Sequence, residues 1–492
     1  MHILRSPILH YLLQRAAFFA ALFGVWSLCY PDLITTYEEQ AFWTDAPDLT
    51  HVMYSWPADW APLASHYLAQ FFARPLLGAT ILALLPLIVL LSADVVVWGL
   101  SHRRPLLCLS FLPAAVVALV CLRQPMLTLL LQCAAVALIL ALGAVSFAIR
   151  RSKSSPAPLP AYLRITAAAA PYIITAAMCI WAATDGRQRS RQFTAHIEHL
   201  AERRQWAELL SLTYPERKSL DANLMAYSLL ALSEQGQLGN KLFHYPVEGL
   251  ESIFAHDRNF RFNSYFCHEL QLPNEAIRYA FEEGQYMPAG ASFGTMRRMV
   301  DWILEKGDDP ELAEFYLNIL SHSTCHDAFI ATRRLFMGQK PLKQREVKPE
   351  FVGSPSFLYE AALVLEREPD NQRARDYLLC GLLLTGNTEA FYDVFQRIYV
   401  ETNDAHIPDH YYEALLALEK THPEIDSSYN IPVSIEAAYR NFRSLAAKGE
   451  GGKAQAMKLY PHTYWAYLLR HAKTQQQGPQ TEIKLSGTSH FD

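Results

Sequence analysis

The sequence predicts an all-α protein in two parts: about five transmembrane helices within residues 1–185, then a soluble, tetratricopeptide-like (TPR-like) α-solenoid over residues 186–470. Three observations predict it. Five long apolar runs crowd the first part, amphipathic segments with helical spacing fill the second, and charge is divided unequally between them. Only 18% of the 492 residues are charged, against about 25% in ordinary soluble chains. The first 185 residues hold 18 charges and the other 307 hold 73, with net charges of +2 and −7. A wholly soluble protein is excluded. No basic patch is clustered enough to suggest nucleic acid.

The apolar runs are Ile8 to Tyr30, Leu76 to Leu100, Leu106 to Leu122, Met126 to Ile149 and Ala161 to Ala183. A bilayer core needs about 20 residues of helix, and each run reaches or approaches that length. The first reads as an uncleaved anchor, because no small-x-small site follows it and Trp26-Ser27-Leu28-Cys29 lacks the small residue of a lipoprotein cleavage site. The third, at 17 residues, is the shortest. Arg123-Gln124-Pro125 joins it tightly to the fourth, so the two form a hairpin that either spans or re-enters. With the N-terminus inside, eight Lys and Arg flank the inner helix ends and five the outer ends, which favours a cytoplasmic N-terminus. In a bacterial inner membrane the C-terminal part is then periplasmic, although Gly186-Arg187-Gln188-Arg189-Ser190-Arg191 puts positive charge on the side that should be poor in it. Eight scattered cysteines without CxxC spacing give neither a disulfide framework nor a zinc site.

Between the first two runs lies a loop, Pro31 to Pro75, with six acids (Asp32, Glu38, Glu39, Asp45, Asp48, Asp59) and nine aromatics, among them Trp43, Trp56 and Trp60. The simpler reading is an interfacial belt, since Trp and Tyr favour the headgroup level. The alternative is a site of the kind found in membrane glycosyltransferases or lipid-processing enzymes, in which Glu38 and Glu39 activate an acceptor hydroxyl. No other catalytic residue and no cofactor-binding or metal-binding set is expected. Asp94, the one acid inside an apolar run, reads as a helix-end anchor snorkelling toward the interface near Arg103 and Arg104.

From Arg187 the pattern changes to amphipathic helices separated by Gly, Pro or Asn. Leu229 to Gly236 precedes Gln237-Leu238-Gly239-Asn240, Trp302 to Gly307 precedes Glu311-Leu312-Ala313, and Leu382 to Asn387 precedes Glu389-Ala390-Phe391. The turn positions Gly236, Gln271, Gly307 and Gly386 are spaced by 35, 36 and 79, the last two periods plus the insertion loop expected at 338–355. Tetratricopeptide repeats have a period of about 34. A glycine C-cap reverses one helix into the next, and Ala276, Ala313 and Ala390 permit close approach. His322 and His326 stand i,i+4 beside Cys325 and Asp327, but no partner cluster accompanies them, so chance spacing is the simpler reading. His406 and His410 are similar, with Pro408 between them arguing against a helix. Tyr464 to Leu469 reads as a capping helix and the tail over 471–492 as disordered.

Tyr67 to Gly78, Lys241 to Pro246, Asn274 to Ala280 and Thr463 to Leu469 are the most specific segments of a resemblance that covers nearly the whole chain. By them the protein resembles an uncharacterised family of bacterial multi-pass inner-membrane proteins with a C-terminal tetratricopeptide-like region. The resemblance implies architecture and supplies no catalytic residue. The expected role is a membrane-anchored scaffold whose solenoid binds a protein or peptide, with membrane lipid around the anchor.

Overall fold

The computed structural model describes residues 7–55, 57–123, 127–150, 160–253, 259–307, 309–339, 357–401, 407–423, 425 and 429–471. The expected insertion loop (from residue 340 on), the expected tail (from residue 472 on) and His406 lie outside them. Among the described residues every regular element is helical. The chain forms two compact units, one of Met1–His196 with Glu283–Arg345, the other of Ile197–Glu282 with Glu346–Asp492. The helix pair around Gly307, which the sequence places in the repeat array, therefore belongs with the apolar helices.

In the first unit α1 spans Pro7–Gly24, and a π turn carries it to Cys29. Short helices α2 (Pro31–Gln40), α3 (Pro47–Met53) and α4 (Trp60–Ala69) follow, then the long α5 (Pro75–Ser101). Proline opens α2, α3 and α5, where its missing N–H costs nothing. After a 3-10 segment over Arg104–Ser110 come α6 (Phe111–Arg123), α7 (Leu127–Arg150), α8 (Ala161–Thr184) and, as far as His196, α9 (Gly186–Glu202).

Four helices, at Ile8–Cys29, Pro75–Ser101, Leu127–Ala148 and Arg164–Thr184, are long and apolar enough to cross a membrane. This corrects the expectation of five. The third run is not one α-helix because Pro113 has no N–H to donate and its ring collides with the carbonyl four residues back. The chain therefore runs as 3-10 up to Ser110 and as α only from Phe111, leaving a 13-residue helix of about 20 Å.

The direction of each helix follows from its contacts. Gln14 Nε2 donates to the Ala168 carbonyl at 3.0 Å and the Tyr30 hydroxyl donates to the Ala182 carbonyl, so α1 and α8 run parallel. Leu82 and Leu127 line one cavity, while a Cβ at Gly99 would stand 3.0 Å from the Ala144 carbonyl oxygen, so α5 and α7 also run parallel. Two parallel neighbours require the segment between them to return along their length, and the 3-10 turn with α6 makes that return. Arg15 pairs with Asp94 near the end of α5, while Gly78 near its start packs against Ile34 just beyond α1, so α1 and α5 run antiparallel.

This unit ends with α15 (Phe293–Lys306), α16 (Pro310–Ser321) and α17 (Asp327–Gln339), numbered in chain order. Ser292 caps α15 by accepting from the Thr295 N–H, and Asp309 caps α16 by accepting from the Leu312 N–H.

In the second unit α10 (Trp206–Thr213), α11 (Ala222–Glu234), α12 (Leu238–Lys241), α13 (Phe260–Glu269) and most of α14 (Pro273–Gln285) precede α18 (Phe357–Arg367), α19 (Gln372–Thr385), α20 (Thr388–Glu401) and α21 (Asp409–Leu418). Gly236, Gln271 and Gly386 hold φ of 64°, 63° and 70° at the ends of α11, α13 and α19. These are three of the four turn positions picked out in the sequence, and Gly307 in the first unit has φ 77°. Remote elements also meet. A Cβ at Gly239 would stand 2.7 Å from Pro408, and Asn240 accepts from the Asp409 N–H at 2.8 Å. The final helix, Tyr464–His471, donates from Trp465 Nε1 to the Glu413 carbonyl and from the Tyr467 hydroxyl to the Leu384 carbonyl. A linear solenoid joins each repeat only to its neighbours. Here α12 packs on α21, more than 160 positions along the chain, so the unit closes on itself.

Candidate functional site

The acidic aromatic loop is folded, and Asp32, Glu38, Asp45 and Asp59 have partners within the first unit. Glu38, 1% exposed, receives Arg297 Nη1 at 2.5 Å and Nη2 at 2.8 Å, and His326 Nε2 lies 2.9 Å from its Oε1. Burial alone would raise its pKa, but the Arg297 guanidinium and His326 outweigh that and hold the carboxyl below the usual range. Glu39 is buried where α2 meets α15. A Cβ at position 294 would stand 2.9 Å from the Glu39 Cβ and 3.0 Å from its carbonyl oxygen, so only glycine admits this approach. Asp32 accepts from Gln192 Nε2 at 2.6 Å, Asp45 faces His322 Nδ1 at 2.7 Å, and Asp59 accepts from the Ser55 N–H at 2.8 Å. Asp48 lies in the first turn of α3, where the helix dipole favours a negative charge.

The partners come largely from residues 293–326. The Phe293 N–H donates to the Ala41 carbonyl at 2.8 Å, Phe42 and Phe293 pack with ring centroids 5.6 Å apart, and Gln70 Oε1 accepts from both the N–H and the hydroxyl of Thr324. His322 and His326 thus serve two different acids and do not converge on one point. His410 lies inside α21, one residue into the helix that follows Pro408, with its Nδ1 2.9 Å from Glu413.

One face of the loop walls a cavity of about 520 Å³ together with the first turns of α5 and α7. Tyr54 and His66 meet in it, hydroxyl to Nδ1. Burial lowers the His66 pKa, so the imidazole is neutral at pH 7, and burial followed by the Asp59 charge pushes Tyr54 up to about 12. Among the described residues the only other acceptor bonded to the Tyr54 hydroxyl is the Phe42 carbonyl at 3.5 Å, the limit of hydrogen bonding. The phenol proton therefore goes to Nδ1, and His66 carries its own proton on Nε2. Tyr37 also lines the cavity, and among the described residues its buried hydroxyl finds no hydrogen-bond partner. Burial raises its pKa well above the ordinary phenol value.

Asp94 is not the snorkelling anchor expected of it. It is 4% exposed, and Arg15 grips it through Nε at 3.0 Å and Nη2 at 2.7 Å while the Tyr11 hydroxyl adds a bond at 2.9 Å. Sequence reasoning found Glu38, Glu39 and Asp94, read His326 as chance spacing beside His322, and missed Arg297, Arg15, Tyr54 and His66. For Arg15 a signal existed: a lone cation and a lone anion in two apolar runs are best explained as partners. For Arg297 and His326, about 260 to 290 positions from Glu38, no local pattern carries the information.

No curated protein and no solved structure matches the chain. A family model described as a family of unknown function (DUF6057) matches residues 6–194 and 155–471. Those two stretches take in most of the chain, and the protein belongs to that family.

Proposed function

We infer that the chain is a membrane-anchored helical scaffold whose C-terminal TPR-like region binds a protein or peptide at the periplasmic face of a bacterial inner membrane, its apolar helices contacting lipid. The observation that carries this reading is the pair of left-handed helix reversals at Gly236 and Gln271 in the second unit, 35 positions apart, the spacing of helix-turn-helix repeats. Such helix pairs expose long faces suited to peptide recognition. The engaged acids of the loop also support it. An enzyme of the glycosyltransferase or lipid-processing kind needs an accessible base, whereas Glu38 is buried, ion-paired and made less basic by Arg297.

Photo-crosslinking in the full chain tests the reading. A benzophenone amino acid at the exposed positions Leu212, Tyr359, Val433 and Leu459 is expected to give one discrete adduct at a subset of them. No adduct at any of the four overturns it. So does a Glu38→Gln, Glu39→Gln chain that, though less stable, reaches normal abundance yet fails to complement a deletion, because chemistry then returns to the loop.

A further inference from the structure

We propose that the cavity between α2, α4, α5 and α7 binds the headgroup of an uncharged, polyol-headed amphiphile, a glycolipid or a monoacylglycerol, with its alkyl chain against Phe72, Leu82 and Leu127. This site is separate from the protein-binding reading and does not depend on it.

At about 520 Å³ the cavity lies within the range of small-molecule sites, which run from about 300 to 1,000 Å³. Its lining divides by chemistry. Tyr37, Tyr54 and His66 form a polar wall, Gln40 and Asp59 supply further polar groups, and the apolar side comes from Phe72 and the first turns of two membrane-length helices. A ligand with a polar head and an apolar chain matches that division.

The charge of the lining selects the headgroup. Among the described residues that line the cavity, Asp59 is the only formally charged one, and neither Arg nor Lys is among them. A phosphate or carboxylate would lose its hydration beside a like charge with no cation to receive it. A cation would find one carboxylate that already accepts from the Ser55 N–H. Hydroxyl groups suit what remains, because each both donates and accepts. Tyr37 carries an O–H without a partner among the described residues, closed to solvent in the free chain and reached by a ligand only when its ring shifts, and His66 offers Nε2–H because Tyr54 occupies Nδ1. Burying an unsatisfied hydroxyl costs stability, and a bound hydroxyl oxygen would remove that cost. Gln40, exposed in the free chain, adds an amide donor.

The test uses the full chain in phosphatidylcholine nanodiscs, free of sugar-based detergent, with an alkyl glucoside that carries a diazirine on its chain. Saturable labelling is expected on peptides containing Met53, Phe72, Leu82 or Leu127. Unlabelled monoacylglycerol should compete, free glucose should compete poorly because it lacks the chain, and the matching alkyl phosphate should label at least tenfold more weakly. Tyr37→Phe is expected to weaken the glucoside about tenfold while its melting temperature stays level or rises, since the lost hydroxyl had no partner. Met53→Trp, at a half-exposed lining position, should fill the cavity and abolish labelling. Non-saturable labelling, labelling confined to other peptides, equal labelling by the alkyl phosphate, or unchanged affinity in Tyr37→Phe overturns the proposal.

Discussion

Arg15 and Asp94, 79 positions apart, form a two-point ion pair between α1 and α5, with the guanidinium lying 3.8 Å over the Tyr11 ring and its Nη1 donating to Gln14 at 2.8 Å. Three of the five guanidinium N–H groups are thereby engaged. Removing one partner strands the other charge in an apolar bundle, which costs about 3–5 kcal/mol for buried pairs. Arg15→Leu and Asp94→Leu alone should each lower the melting temperature markedly. The double variant should recover much of the loss, because two well-packed apolar side chains replace a pair that was costly to desolvate. Melting of the three variants in one detergent checks it, and a double variant no better than the singles would give the pair a role beyond packing.

Glu38 and Arg297 join α2 to α15 and make a second prediction. A carboxyl held low in the folded state contributes stability that is complete above its unfolded pKa, about 4.3, and is lost as pH falls through the folded value. Glu38→Gln should cost on the order of 3 kcal/mol at pH 7. Its stability should then change less than the parent's as pH is lowered below about 4.5. Melting curves from pH 3 to 7 check both statements, and parallel acid profiles would show that Glu38 is not the titrating group.

What was legible in the sequence was what is local. Apolar runs marked the long helices to within a residue or two at most ends, and the Gly and Gln turn positions emerged with left-handed φ because a helix end needs that conformation within one residue of where the pattern stops. The third run was misjudged because mean hydropathy does not register where proline interrupts the hydrogen-bond ladder, and Pro113 does so inside it. The loop was misjudged more deeply. Its acids looked available for chemistry because their partners, Arg297, His322 and His326, lie in a stretch read as repeat, and no periodicity links residue 38 to residue 297.

Gly236 provides a direct test of the turn geometry. With φ 64° any other L-residue is strained there by about 1–2 kcal/mol, and an added Cβ would also stand 2.9 Å from the flexible end of Gln372. Gly236→Ala is expected to lower the melting temperature by a few degrees. An Ala substitution at Gly451, which has open space and no positive φ, should change it little. Equal effects would mean that the left-handed turn is not what the glycine secures.

His244 predicts acid sensitivity in the second unit. Burial first, then the nearby His462, His410, Arg217 and Lys241, lower its pKa to about 4, and its Nδ1 lies 2.7 Å from the Tyr214 hydroxyl. The unfolded chain therefore binds this proton more readily, and stability falls as pH drops from about 6.5 toward 4. Because the ring is half-exposed, the loss is discounted for solvent screening to about 1–2 kcal/mol. Hydrogen exchange of peptides around 240–246 and 409–415 should accelerate between pH 6.5 and 4.5 after correction for intrinsic rates. His244→Gln should flatten that dependence, and an unchanged profile in the variant would assign the sensitivity elsewhere.

We propose the side of the membrane reached by the C-terminus from helix direction and charge together. Gln14 beside Ala168 and Tyr30 beside Ala182 place the exit of α8 at the same end of the unit as the exit of α1. Arg15 beside Asp94 and the parallel course of α5 and α7 make the intervening passes alternate, with the 3-10 turn and α6 as the return pass. If that return pass crosses the membrane, the passes are odd and the chain ends lie on opposite sides, and the excess of eight basic residues over five favours the proposal that the N-terminal side is cytoplasmic. Alkaline phosphatase fused after Asp492 should therefore be active and a green fluorescent protein at the same place dark. The same reporters fused after Arg123 should agree with those after Asp492 if α6 and its 3-10 turn complete the crossing. If the Arg123 fusion instead reads as cytoplasmic, that segment re-enters, the passes number four, and the C-terminus lies on the side of the N-terminus.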